Sequence, residues 1–156
     1  MNIRRAKDSD LKEINELLAQ VDLVHHIIRP DLFNIGNKYT DEQVLEIIKD
    51  EKTPVFVAVD ENDKTMGYAF CMFKQHLTEE FLTDIKTLYI DDLCVYEHLR
   101  GQHVGRALYD YVCNFAKENG CYNITLNVWE GNDSAKRFYE SVGMKPQKTG
   151  MEMILQ

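Results

Sequence analysis

Hydrophobic positions along this chain change period several times, and each change marks an element. Residues 2–6, N-I-R-R-A, read as a short first strand. Leu11, Ile14, Leu17, Leu18 and Val21 then recur at helical spacing, behind Asp8 or Asp10 as the cap. The stretch from His25 to Tyr39 has no period, and Pro30 and Gly36 punctuate it. Thr40 with Gln43 forms a capping box ahead of Val44, Leu45, Ile47 and Ile48. The β-branched run P-V-F-V-A-V-D, the turn E-N-D-K and the run M-G-Y-A-F-C-M-F-K predict a hairpin. T-L-Y-I-D-D-L-C-V-Y reads as a buried strand broken by two acids. Val104, Leu108, Tyr111, Val112 and Phe115 form the stripe of a second long helix, which Asn119-Gly120 ends. N-I-T-L-N-V-W reads as a strand. Asn132 caps the short helix S-A-K-R-F-Y-E-S-V, Gly143 closes it, and M-E-M-I-L reads as a final strand. The order βααββ then βαβαβ predicts a mixed α/β domain with a strand–helix–strand unit in its second half. No repeat or Pro/Gly linker divides residues 1–156, so one domain is expected.

Composition narrows the function. A net charge of −8 argues against nucleic acid as the main partner and is compatible with a cationic small molecule. No apolar run is long enough for a bilayer, and the start M-N-I-R-R-A-K-D-S-D has no apolar segment after its basic residues. A cytosolic (cytoplasmic) protein without a membrane partner is expected. Cys71, Cys94, Cys113 and Cys121 contain no C-x-x-C pair and predict buried or half-buried thiols. The five histidines lack the spacing of a common metal site, so no metal is expected.

Two glycines in R-G-Q-H-V-G-R-A, Arg100 to Ala107, stand at the entry of the second long helix. Neither G-x-x-x-x-G-K-[ST] nor G-x-G-x-x-G is present. A strand ending at Val95, a turn and a helix start containing Gly105 nevertheless offer unpaired N–H groups and a positive dipole end to an anion. Arg100, His103 and Arg106 add charge, and Gly101 and Gly105 permit close approach. On this loop alone, a simple helix entry is an equal reading.

Gln102-x-x-Gly105-x-Ala107 resembles the acetyl-CoA signature [RQ]-x-x-G-x-[GA] of the GNAT N-acetyltransferase superfamily. Asn132 to Met144, N-D-S-A-K-R-F-Y-E-S-V-G-M, resembles that family's last motif. The likeness runs through nearly the whole chain. It implies the GNAT fold, a mixed central sheet of about six to seven strands flanked by about four helices, with splayed parallel fourth and fifth strands. Position 103 is often Gly in relatives and is His here.

The resemblance also implies acetyl transfer from acetyl-CoA to an amine by direct attack. Arg100, Gly101, Gln102, His103, Val104, Gly105, Arg106 and Ala107 would then hold the pyrophosphate. The backbone of Leu93, Cys94 and Val95 would pair with pantetheine like an added strand, and the Val95 N–H would polarise the thioester carbonyl. Asn132 and Ala135 would also line the cofactor. Tyr139 is the expected general acid for the departing thiolate, although packing alone would account for Phe138 and Tyr139 on one helix. Asp91 and Asp92 sit where polyamine acetyltransferases carry two acids. Asp91 is expected to face the acceptor and take its proton, directly or through water, with Asp92 in support. Adjacent strand residues point to opposite faces unless a bulge intervenes. His26 and Asn127 are further candidates for acceptor binding. The expected acceptor is a small-molecule amine, with a protein N-terminus or lysine, or a non-catalytic CoA-binding module, as alternatives. A homodimer is expected, as for many relatives.

Overall fold

The computed structural model describes residues 1–156. Chain order is β1 (Asn2–Arg5), α1 (Leu11–Ile28), α2 (Asp41–Lys49), β2 (Val55–Val59), β3 (Thr65–Gln75), β4 (Lys86–Val95), α3 (Val104–Glu118), β5 (Asn123–Thr125) and α4 (Asp133–Ser141), with short 3-10 turns before α1 and after β4. The strands form one sheet in sequential order. β1 through β4 pair antiparallel, and β5 joins β4 in parallel.

β2 lies at the centre of the packing because both of its faces are covered. Val55, Val57 and Val59 meet Ile14, Leu17, Leu18, Val44 and Ile48 of α1 and α2. Phe56 and Ala58 meet Val104, Leu108 and Val112 of α3. Burying one such Val or Phe stabilises by roughly 1.5–3 kcal/mol, which is why a short run of β-branched residues suffices to anchor two helical layers. Tyr68 and Phe70 of β3 continue the first cluster, and Ala69 and Cys71 continue the second. No helix is long and apolar enough to cross a membrane.

β4 changes face partway along. Leu88 and Ile90 pack with α3, whereas Cys94 packs with α1. All three are even-numbered, so strict alternation would put them together. The register explains the switch: Cys71 lies opposite Ile90 and Phe70 opposite Asp92, leaving Asp91 without a cross-strand partner. Asp91 is thus the extra residue of a β-bulge.

The sheet has five strands, not the six to seven implied by the family resemblance. Of the predicted strands, one does not form and another is shortened. N-I-T-L-N-V-W is paired only over Asn123–Thr125, because β4 diverges from it beyond Tyr89. M-E-M-I-L is unpaired, and no backbone–backbone hydrogen bond involves residues 145–156. Strand propensity is present in both runs, but propensity forms no ladder where no other strand runs alongside.

The cap expected from Asp8 or Asp10 is also different. Asp10 precedes α1 but makes no side-chain cap bond. It is buried and accepts two hydrogen bonds from Arg4, at 2.8 and 3.0 Å, one from Thr65 Oγ1 and one from the Lys7 amide. The pair ties β1 to β3 beneath the start of α1. Burial alone would raise the Asp10 carboxyl, but these donors hold it below the ordinary carboxylate value. By contrast, the Thr40–Gln43 capping box and the Asn132 cap form as predicted.

Asp10→Ala should destabilise the fold by about 3 kcal/mol, because it strands Arg4 and Thr65. The folded carboxyl titrates below its unfolded value, so its stabilisation is complete above about pH 4 and is lost as pH falls through the folded value. Urea melts across that range should show a shallower acid limb in the variant. An unchanged limb would rule out the linkage.

Candidate active site

The geometry of the site follows from the divergence of β4 and β5. Only Thr87, Leu88 and Tyr89 of β4 face partners in β5, namely Asn123, Ile124 and Thr125. From Ile90 to Val95, β4 runs on with β3 alone beside it. The Tyr96 N–H donates to the Met66 carbonyl of β3. By the alternation of an antiparallel ladder, Leu93 and Val95 therefore turn their amides away from β3, into the gap, while Cys94 turns toward β3. Gly67 keeps the two strands close here, since a Cβ on it would lie 2.7 Å from the Cys94 carbonyl oxygen.

Gln20 of α1 is a residue that sequence reasoning missed. Its Nε2 donates to the Val95 carbonyl at 2.9 Å, and its Oε1 accepts from the Glu97 amide at 3.2 Å. A polar residue on the flank of an amphipathic helix carries no signal of this kind. It clamps the end of β4 where the gap is widest. Cys94 is buried beside it, and burial pushes its thiol far above the ordinary value, so it is no nucleophile.

The chain leaves β4 through Tyr96 to Arg100 and enters α3. No amide from Gly101 to Arg106 has a hydrogen-bond partner within the chain. Gly101 has φ +81 and His103, the residue before α3, has φ +64. Both are left-handed, which glycine adopts freely and histidine at a cost of about 1 kcal/mol. Two left-handed residues, Gly101 and His103, ahead of a helix start whose amides are unpaired, make the backbone pattern in which anion nests form. Arg100 is exposed, and the exposed Arg106 pairs loosely with Asp110 at 3.4 Å. Val104 is buried beneath the loop in the α3 cluster, and Ala107 begins the regular α3 ladder by donating to the His103 carbonyl. Gly105 packs toward α4, where an added Cβ would lie 3.4 Å from the Phe138 ring.

α4 brings Tyr139 to the same region. Burial raises its phenol above the ordinary tyrosine value, and the nearby Asp92 charge adds to that, so the hydroxyl stays protonated. Asn132 Oδ1 accepts from the Ala135 amide at 3.4 Å, which commits that oxygen to the α4 cap. Ala135 is half-buried on the same turn.

The bulge aims both acids at one face. Asp91 precedes the phase change and Asp92 follows it, so both point toward α1 and the segment from Arg29 to Thr40. Asp92 accepts from Tyr68 Oη at 2.5 Å. Burial pushes its carboxyl up to about 6, against the pull of that hydrogen bond. Asp91 accepts from Lys38 Nζ at 3.0 Å and from Tyr39 Oη at 3.5 Å. Burial works against the Lys38 charge, yet Asp91 holds the ammonium above the ordinary lysine value. Lys38 and Tyr68 were not foreseen as site residues. Tyr68 carried the one available signal, a polar tip inside the strand G-Y-A-F.

His26, Trp129 and Asn127 make contacts of their own. His26 Nδ1 lies 2.6 Å from the Phe33 carbonyl, so it braces the loop. Trp129 meets Phe33 edge-on, with centroids 5.5 Å apart, and lies under Arg29. Asn127 Nδ2 donates to Tyr89 Oη at 3.2 Å, bridging the closed end of the gap.

Similar proteins are known. The model of the acetyltransferase (GNAT) family matches residues 21–144. The peptidyl-lysine N-acetyltransferase YjaB of Escherichia coli (strain K12) is 27% identical over 150 residues, covering 93% of this chain and 82% of that protein. The glucosamine 6-phosphate N-acetyltransferase of Arabidopsis thaliana is 25% identical over 154 residues, covering 96% and 93%. The crystal structure of a mutant BH1408 protein from Bacillus halodurans superposes with a TM-score of 0.95 at 34% identity, over 100% of both chains. With the family model spanning most of its length, the chain belongs to the acetyltransferase (GNAT) family and is an acyltransferase.

Proposed function

We propose that this protein acetylates a primary amine of a small cationic molecule, using acetyl-CoA and direct attack, in the cytoplasm and without a metal. One observation carries the choice of acceptor. An aliphatic ammonium, that of Lys38, rests on Asp91 next to a carboxyl that titrates near neutrality, Asp92. An acceptor ammonium suits the same carboxylate. A protein lysine is the second reading, favoured because the ammonium seen there is a lysine's and because YjaB is named for that acceptor.

The residues present fit acetyl-CoA. The free amides of Gly101 to Arg106, with Arg100, suit a pyrophosphate. Gln102 and His103 belong to this cradle through their backbone, and Val104 and Ala107 support it from α3. Leu93 and Val95 offer amides to a pantetheine arm in the gap, with Cys94 holding that stretch of strand to β3 and Asn132 and Ala135 on the opposite wall. Acetyl-CoA supplies an activated acyl group and a thiol leaving group. The protein then has four tasks. Asp91 binds the incoming ammonium. Asp92, with a pKa of about 6, takes its proton through water more readily than an ordinary Asp would. The Tyr139 phenol, kept neutral by burial, donates to the departing sulfur. The Val95 N–H polarises the acyl carbonyl. His26 and Asn127 border the acceptor side. Two copies of the chain complete this reading.

Asp92→Asn should lower kcat/KM by about 10²-fold and abolish the rise in rate through pH 6, because the wild-type carboxyl is protonated below that pH. A rise that survives the substitution would assign the base elsewhere. In Tyr139→Phe, kcat should fall by about 10²-fold while calorimetric affinity for acetyl-CoA holds. Equal loss of both would make Tyr139 structural. Gly105→Glu should remove acetyl-CoA binding, since it puts a bulky anion between the helix start, Phe138 and Val95, next to the proposed pyrophosphate cradle. The function itself is tested by assaying CoA thiol release against diamines, amino sugars and lysine peptides. Release with peptides alone would establish the second reading.

A further inference from the structure

A lysine of the chain itself occupies the carboxylate assigned to the acceptor. Three lysines form ion pairs: Lys7 with Asp63, Lys49 with Asp8 and Lys38 with Asp91. Only the last has its partner in the candidate site. Lys38 Nζ lies 3.0 Å from Asp91 Oδ2, and the Tyr39 hydroxyl reaches the same oxygen at 3.5 Å. The ammonium also lies 5.3 Å from the centroid of the Tyr39 ring. The backbone that carries this amine is held as well. The Lys38 amide donates to Asp22 Oδ2 of α1 at 2.8 Å. The adjoining Tyr39 ring stacks on Phe70 of β3 with centroids 6.3 Å apart, and Thr40 opens the capping box of α2.

Stability does not require this pairing. The Lys38 side chain is 47% exposed and that of Asp91 26%, and an ion pair open to water adds little once the ordering of a long side chain is counted. The contact instead delivers a primary amine to the opening of the gap. Asp91 stands two residues beyond Tyr89, the last β4 residue paired with β5. Next to it is Asp92, whose buried carboxyl exchanges its proton near neutrality. An amine tethered at this point needs no bimolecular capture before it reacts.

We propose that Lys38 is itself an acetyl acceptor, modified in cis by acetyl-CoA bound to its own chain. Lys38 acetylation rests on the amine reading above and narrows it to a named residue. The Lys38 ammonium gives one proton through water to Asp92. The neutral Nζ then bonds to the acyl carbon as the carbon–sulfur bond breaks. Tyr139 protonates the departing sulfur, and the second proton lost by the nitrogen restores the phenol through water. The products are an Nζ-acetyl-lysine, CoA thiol and one proton, which Asp92 returns to solvent. Acetylation removes the lysine charge. Asp91 thereby loses the cation it holds and stands open to a free ammonium, so a single event on Lys38 converts an occupied acceptor carboxylate into an accessible one.

The test incubates the full-length protein with acetyl-CoA at neutral pH, digests it and locates acetyl groups by mass spectrometry. Lys38 should be modified, while the exposed Lys12 stays unmodified over the same time. Tyr139→Phe should slow the modification by about 10²-fold. When nitrogen-15-labelled Tyr139→Phe chains are mixed with light wild-type chains, acetyl should appear on the light Lys38 alone. A second readout needs no acetyl-CoA. Trace acetic anhydride labels neutral amines, so Lys38, kept an ammonium by Asp91, should label more slowly than Lys12, and Asp91→Asn should remove the lag. An unmodified Lys38, equal modification of Lys12, acetyl on the heavy chains, or a labelling rate at Lys38 that ignores Asp91→Asn would each overturn self-acetylation. Turnover of diamines by wild-type protein whose Lys38 stays unmodified would overturn self-acetylation alone and leave the amine reading standing. Loss of both would end both.

Discussion

One inserted residue in β4 organises this molecule. Without the bulge at Asp91, the even positions of β4 would all face α3, and Cys94 would leave the α1 cluster. Asp92 would then point at α3 and Asp91 at α1, on opposite sides of the sheet. The extra residue reverses the phase, so two carboxylates share one face while Leu88 and Ile90 still fill the other. It also lies where β5 stops following β4. Bulges bend and twist a strand, and the ladder with β5 ends two residues earlier, at Tyr89. Position of the acids and opening of the gap are thus consequences of a single irregularity.

The two acids differ by environment rather than by type. Asp92 is enclosed with Tyr68 and titrates near 6. Asp91 is partly open to solvent and balanced by an ammonium. A carboxylate already paired with an ammonium suits holding a cation, and one that titrates near neutrality suits exchanging a proton. Tyr139 completes the set as a phenol that burial keeps protonated. The proposed pyrophosphate cradle is built differently, from backbone alone. His103 takes there a conformation that glycine takes freely, so the geometry is retained while a ring is added.

Local signals in the sequence were dependable where local chemistry decides. The Thr40–Gln43 box, the Asn132 cap and the β2–β3 hairpin are set by residues near one another. Three other features depend on distant partners. The bulge at Asp91 was legible only as a condition, because two adjacent acids do not reveal cross-strand register. Asp10 reads as a helix cap, yet Arg4 and Thr65 claim it from other strands. N-I-T-L-N-V-W and M-E-M-I-L have strand propensity, and propensity does not say whether a neighbouring strand will be in place to pair with. Gln20 gives no sign of its role, since its targets at Val95 and Glu97 are distant in sequence.

Lys38 has an effect that extends beyond charge balance at Asp91. It is a tethered competitor, held on the same chain at an effective concentration on the order of millimolar. An acceptor that binds Asp91 must first displace it. Ammonium ions and simple monoamines at lower concentrations lose that contest, whereas a molecule with a second cation or a matching shape gains contacts that the lysine does not have. On the proposed reading, the loop would therefore act as a threshold, admitting acceptors by the surplus of their binding over that of an amine the protein already carries.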